Sequence, residues 1–288
     1  MKADADKPVQ NSEQREVRRV RVVKLPQAMD DRDHLAVEEP LEIRLGFGPL
    51  ARRDSRSVAV TMRTPGADED LALGFLFTEG IIQDMGQVRS TGPCGESGES
   101  GEDQAIRVEL EPGVQPDLER LQRHFYTSSS CGVCGKQSIE ALKVQGRYEL
   151  ASSDFRVSAR ALAGIPVSLE QHQRVFARTG GLHAAGLFDR EGQVREIRED
   201  VGRHNAVDKL VGAALGNRRV PLERNGMVVS GRASFELVQK AVVAGCPMLV
   251  AVSAPSSLAV EAAAEAGLTL VGFLREGRGN LYTGPDRL

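Results

Sequence analysis

Residues 226–274 read GMVVSGRASFELVQKAVVAGCPMLVAVSAPSSLAVEAAAEAGLTLVGFL. Three β-like apolar runs stand at 226–230, 248–253 and 268–274, each bounded by Ser, Gly or Pro. Two stretches of helical length, 233–244 and 257–266, lie between them. Gly267 follows the second, where a helix C-terminal cap is expected. Strand, helix, strand, helix, strand with short loops implies right-handed crossovers and a parallel central sheet. The chain is therefore read as α/β.

Upstream, a helix is expected over 203–215 and two β-like runs over 182–188 and 193–199. These two runs could form an antiparallel hairpin on the same sheet. Ser168-Leu-Glu-Gln171 has a capping-box pattern and predicts a helix start there, running to about residue 177. The first half is more β-rich. Runs at 19–25, 41–47, 57–63 and 105–110 predict strands. Thr64-Pro65-Gly66 stops one of them, and Asp68-Glu69-Asp70 opens a helix over 71–82. Residues 91–103, rich in Gly, Ser and Glu, predict an exposed hairpin loop that carries Cys94. Helices are expected over 117–125 and 137–144. The resulting division is a disordered tail (1–18), a smaller β-rich N-terminal domain with one or more helices (19–125), a mobile Ser/Gly/Cys loop (126–136) and an α/β domain (137–288).

Composition removes several classes of function. The chain has 288 residues, 41% apolar and 27% charged, which is too apolar for disorder. A net charge of −3 argues against a nucleic-acid binder. Apolar runs such as 247–252 are far short of the roughly 20 residues that span a bilayer. Residues 1–11 are polar, unlike a secretory signal. A cytoplasmic protein with reduced thiols and no membrane partner is expected. Four cysteines are too few for a disulfide scaffold, so chemistry or metal binding is their expected use. No internal repeat of 20–50 residues is visible.

The most chemically loaded stretch is Tyr126-Thr-Ser-Ser-Ser130-Cys131-Gly-Val-Cys134-Gly135-Lys136. Almost nothing in it is apolar enough for core. A lysine beside a thiol lowers its pKa and enriches thiolate. Four readings compete. They are two ordinary loop cysteines, half of a zinc site, a thioredoxin-like redox pair, and a sulfur carrier that holds sulfur as a persulfide. Zinc needs two more ligands, and the chain offers only Cys94, Cys246 and five isolated histidines. The zinc-deaminase signature fails, because no H-x-E lies upstream and no Pro precedes Cys131. A redox pair should sit near a βαβ unit, and this one follows a Ser-rich loop.

A series of motifs carries a family resemblance. They are TPGADEDLALGFL (64–76), EGII (79–82), SSSCGVCGK (128–136), TGGLH (179–183), EDVGRHNAVDK (199–209), SGRASFE (230–236), SAPSS (253–257) and GFLR (272–275). Together they resemble the FdhD family of formate dehydrogenase accessory proteins, from about residue 17 to the end. The resemblance implies a sulfur carrier, a kind of sulfurtransferase. Such a protein accepts sulfur from a cysteine desulfurase and passes it to the bis-molybdopterin guanine dinucleotide form of the molybdenum cofactor, before insertion into formate dehydrogenase. It implies that Cys131 forms the persulfide and Cys134 assists. It implies a homodimer, and a three-layer core with a mixed sheet, similar to cytidine deaminases but without catalytic zinc. The family's cofactor-binding stretch maps onto Phe273, Leu274, Arg275, Glu276, Gly277 and Arg278. Cys94 inherits no role. A cofactor-binding chaperone that moves no sulfur is the alternative reading, and a zinc-dependent hydrolase a third.

Such a cofactor is a large anion with pyrophosphates and guanines. Arg232, Arg275 and Arg278 lie at or after expected strand ends, where open α/β sheets bind ligands. Arginine suits phosphate because its planar fork bonds bidentately. The serine-rich loop with Ser256 offers hydroxyls and helix N-terminal amides, although Ser257 also reads as an ordinary cap. His183 and His204, each near a glycine turn, could donate to the ligand or hold a turn. Asp200 and Asp208 could accept from guanine or pair with Arg203 or Lys209, and the salt-bridge role is the favoured reading. Glu236 reads as a charge favoured by a helix dipole. Cys246 reads as core, and His34, His124 and His172 carry no function.

Overall fold

The computed structural model describes residues 16–27, 29–94, 104–117 and 146–288. The expected segment 126–136 with Cys131 and Cys134, the helix over 137–144 and all but Asp117 of the helix over 117–125 lie outside the described residues, as do 95–103 of the Gly-rich loop.

The N-terminal part holds a two-stranded antiparallel ribbon, β1 (Val17–Lys24) with β2 (Met29–Ala36). Residues 17 and 18, expected in the tail, belong to β1, where Val17 pairs with Ala36 and Arg18 with Leu35; residues 1–15 lie outside the described residues. A four-stranded sheet follows, built from β3 (Glu39–Phe47), β4 (Asp54–Arg63), β5 (Val88–Pro93) and β6 (Ala105–Leu110). Its order is β4-β3-β6-β5, with β3 and β6 parallel. Residues 91–93, expected in a loop, belong to β5 and pair with β6. Alternate residues Leu41, Ile43, Leu45, Ile106, Val108 and Leu110 are buried, as one core-facing side requires.

Helix α1 (Asp68–Thr78) seals that side. It packs on α4 (Arg203–Gly216) through two facing glycines. A Cβ on Gly74 would stand 1.8 Å from the Asp208 carbonyl oxygen, and one on Gly212 would stand 1.8 Å from that of Asp70. The backbones meet where side chains would hold them apart. The larger hydrophobic cluster accordingly runs without a break from Leu41 and Leu71 to Val207 and Leu237.

The second part is a six-stranded mixed sheet. Its strands are β7 (His183–Phe188), β8 (Val194–Asp200), β9 (Gly226–Val229), β10 (Met248–Ala251), β11 (Thr269–Arg275) and β12 (Arg278–Thr283). The order is β12-β11-β10-β9-β7-β8. Strands β9, β10 and β11 are parallel, as expected, and β7 and β8 form the expected antiparallel hairpin beside them. Met227, Val229, Leu249 and Ala251 face the larger cluster with α4, α5 (Phe235–Val243) and α6 (Ser257–Glu265). Val228, Met248 and Val250 face a smaller cluster with Leu162, Ile165 and Leu169 of α2 (Ala159–Glu170). Helices therefore cover both faces, which makes three layers.

Ser168 does not start a helix. The cap is Ser158, whose hydroxyl accepts the Ala161 N–H. Ser168 sits in the last turn of α2, and its hydroxyl accepts the Val194 N–H at 2.9 Å. Burial of Leu162 and Ile165 extends the helix well before the capping pattern. The chain then turns into the short α3 (Arg174–Thr179). Among the described residues, no helix is long and apolar enough to cross a membrane.

Candidate functional site at the sheet's C-terminal edge

The parallel strands β9, β10 and β11 end on one edge of the large sheet. Strand β7 runs the other way, so its first residue, His183, stands on the same edge. His183 pairs with Asp200, the last residue of β8, and α4 begins three residues later at Arg203. Hydrogen bonds sew the loops together. Ser230 exchanges two with Ala184, backbone N–H to carbonyl and Ala184 N–H to the Ser230 hydroxyl, both 2.9 Å. Gly231 O accepts the Ser253 N–H at 3.4 Å, and Ser253 O accepts the Phe273 N–H at 3.1 Å.

The edge gathers many of the expected residues. Arg232 is exposed in the loop after β9. Ser256 is the N-cap of α6, its hydroxyl accepting the Ala259 N–H at 3.2 Å. The cap expected at Ser257 belongs one residue earlier. The stretch Phe273–Arg278 forms the tip of a two-stranded hairpin. Glu276 and Gly277, with φ of 52° and 72°, make its two-residue turn, and Arg275 pairs with Arg278 across it. Arg278 follows the end of β11, as expected, and also opens a strand not expected from the sequence, β12. Arg275, Glu276, Gly277 and Arg278 are exposed and Phe273 partly so, but Leu274 is 4% exposed and belongs to the core. Only its backbone can face a ligand.

Two histidines and an arginine form a half-buried cluster beside this hairpin's neighbouring loops. A Cβ on Gly231 would lie 3.3 Å from His183 Nδ1 and 3.8 Å from Arg203 Cδ, so the three residues adjoin. His204 Nε2 lies 3.5 Å from Ser234 Oγ and 4.0 Å from Glu236 Oε2. Burial, with the Arg203 charge adding to it, holds His183 below its ordinary pKa. Burial, then Lys240 and Arg203, push His204 down to about 4. Both are neutral imidazoles at neutral pH, each with one donor and one acceptor nitrogen.

The aspartates have structural posts. Asp200 accepts from Gly202 N (2.9 Å), Asn205 Nδ2 (3.0 Å) and Thr64 N (3.1 Å), and pairs with Lys209 at 2.7 Å. Lys209 also donates to Thr64 O at 2.7 Å. The TPG segment and the GRH loop are thereby locked to each other. Asp208 pairs with Lys240 at 2.9 Å and accepts from Thr78 Oγ1 at 2.8 Å, while Lys240 reaches Glu79 at 3.0 Å. Burial pulls the Lys240 pKa down, but Asp208 and Glu79 outweigh it and keep the ammonium charged. Cys246 is buried, as expected, and its thiol donates to the Asn225 and Met248 carbonyls.

The set suits an anion. Its positive charges are arginines at strand ends, and the Nε of Arg203 is buried without a partner among the described residues. Arg203 was not among the expected site residues, although a basic residue at a strand-to-helix junction after Gly202 was a visible signal. Among the described residues, no group of three or more His, Cys, Asp and Glu is placed to hold a metal ion. A separate cleft of about 760 Å³ opens at the opposite sheet edge, between Arg147–Asp154 and Pro221–Arg224, and holds none of these residues.

Comparison with known proteins matches most of the chain to a family. The model of the FdhD/NarQ family matches residues 36–288. A protein of Streptomyces coelicolor named sulfur carrier protein FdhD is 52% identical over 260 residues, covering 89% of each chain. The protein of that name from Mycobacterium tuberculosis is 48% identical over 276 residues, covering 94% of this chain and 97% of its own. The crystal structure of a candidate formate dehydrogenase accessory protein from Desulfotalea psychrophila shares the fold. Its TM-score is 0.69 at 24% identity, over 94% of this chain and 98% of that one. With a family model spanning most of its length and relatives about half identical to it, the chain belongs to the FdhD/NarQ family.

Proposed function

We propose that this chain is a sulfur carrier in formate dehydrogenase maturation. It takes sulfur from a cysteine desulfurase as a persulfide on Cys131 and passes it to the bis-molybdopterin guanine dinucleotide cofactor. The observation that carries this reading is the pair Cys131-Gly-Val-Cys134, followed by Lys136, in a chain about half identical to proteins named sulfur carriers. Cys131 thiolate attacks the outer sulfur of the donor persulfide. The donor's sulfur–sulfur bond breaks, its cysteine leaves as thiolate, and a new sulfur–sulfur bond forms at Cys131. No net oxidation occurs. Lys136 favours the attacking thiolate, and Cys134 assists.

The cofactor is the substrate at the sheet edge. Arg232, Arg275 and Arg278 offer bidentate donors to its phosphates, and the backbone of Phe273 to Arg278 frames it. Ser256, His183 and His204 complete the set. The three-layer body corresponds to a cytidine-deaminase-like core without catalytic zinc. The protein acts in the cytoplasm as a homodimer, touching a desulfurase and formate dehydrogenase and binding neither nucleic acid nor membrane.

Loading with radiolabelled sulfur from desulfurase and cysteine tests the assignment. Cys131→Ala should carry no label, and Cys134→Ala should carry reduced label. Full loading of Cys131→Ala would sink it. The alternative is a cofactor chaperone without sulfur transfer. It predicts that Cys131→Ala still matures formate dehydrogenase while Arg275→Ala does not.

A further inference from the structure

One arginine at this edge breaks the pattern of the others. Arg63 is held by Asp68 and Glu39, Arg198 by Asp70 and Glu196, and Arg53 by Glu109. Arg232, Arg275 and Arg278 are exposed, so water serves them. Arg203 is half-buried, yet its side chain makes no hydrogen bond or salt bridge among the described residues. A buried donor without a partner is rare and calls for an explanation.

The neighbours do not neutralise it. Asp200, three residues earlier, spends its oxygens on Lys209, Thr64, Asn205 and Gly202. Glu236 faces His204 and is held ionised by the Ser234 hydroxyl, its own backbone N–H and, more weakly, the Arg203 charge, but it makes no ion pair or hydrogen bond with Arg203. His183 and His204 are neutral and bring no negative charge. Around this cation, which has no hydrogen-bonding partner, stand two imidazoles and, at Gly231, a place without a side chain. That is a group of donors around a guanidinium with an open hydrogen bond.

We infer that Arg203 is the residue that grips a phosphate group of the nucleotide part of the ligand, with His183 and His204 as flanking donors and Gly231 leaving the space, which rests on reading this edge as the cofactor site. A guanidinium presents its Nε and one Nη as a fork that matches two phosphate oxygens. Free phosphate and the diphosphate of a nucleotide share that chemistry, so the probes must separate them.

Calorimetric titration of the full chain with inorganic phosphate, pyrophosphate, guanosine diphosphate and guanosine is the test. The unaltered protein should bind pyrophosphate and guanosine diphosphate, the nucleotide more tightly, and both more tightly than inorganic phosphate. Arg203→Gln should weaken both about tenfold or more, and leave guanosine, which has no phosphate, unaffected. Arg203→Lys keeps the charge but not the fork, and should lose several-fold; it carries the test if the glutamine variant does not fold. Unchanged affinity for pyrophosphate in either folded variant would overturn the role of Arg203 alone. No binding of any probe by the unaltered protein would overturn the cofactor reading of the edge and this role with it.

Discussion

Lys209 is 2% exposed and meets Asp200, which is 0% exposed. A pair so deep is weak evidence of stabilisation as a pair, but removing one partner leaves a bare charge. Lys209→Met should cost about 3–5 kcal/mol of stability in urea unfolding. A loss under about 1 kcal/mol would mean that Asp200 finds other neutralisation. His204 gives a pH signature. Its pKa is about 4 when folded and 6.5 when free. Between those values the unfolded chain holds the extra proton, so stability falls as pH drops through that window. His204→Gln should flatten that part of the acid limb when urea midpoints are followed against pH; an unchanged slope would contradict it. At this scale the sequence was partly legible. Asp200 with Lys209 was an expected pair. Asp208 with Lys240 was not, because the two lie 32 residues apart and only the packing of α4 on α5 joins them. Arg203 escaped as a site residue because the sequence marked only its place after Gly202, and what sets it apart from other arginines is a missing partner, which only the structure shows.

The contact between α1 and α4 is the junction of the two sheets' cores. Gly74→Ala would press a methyl onto the Asp208 carbonyl, 1.8 Å from its ideal place. Overpacking costs typically about 1–3 kcal/mol and occasionally more, and rigid backbone on both sides puts this case at the upper end. Thermal unfolding should show a fall of several degrees, and Gly164→Ala, with open space around it, should show little. Equal melting temperatures for the two variants would contradict the close packing. Elements buried on one or both faces were the legible ones, such as β7 through β11 and α4. The unread strands are β2, β5 and β12, whose residues MDDRDHLA, VRSTGP and RGNLYT are mostly exposed or half-exposed. Hydrophobic pattern reports burial, and strands in a ribbon or at a sheet edge have little to report. The hairpin turn at Glu276 and Gly277 follows from missing β12.

Across the whole molecule, a net charge of −3 conceals a local excess of arginine at one sheet edge. Binding of an anionic cofactor there should weaken as salt rises, because exposed Arg232, Arg275 and Arg278 are screened. Arg275→Ala combined with Arg278→Ala should lower cofactor retention and flatten that salt dependence; an unaltered slope would place the anion elsewhere. The architecture of the second half was legible because a strand–helix alternation with short loops leaves few topologies. The chemistry was legible as a cysteine pair, and its use came into view only through the family. The central claim is sulfur carriage on Cys131. Intact mass of the full chain after treatment with desulfurase and cysteine tests it most directly. A gain of one sulfur atom, removed by reductant and absent from Cys131→Ala, is the predicted result. An unchanged mass, or the same gain in Cys131→Ala, would contradict it.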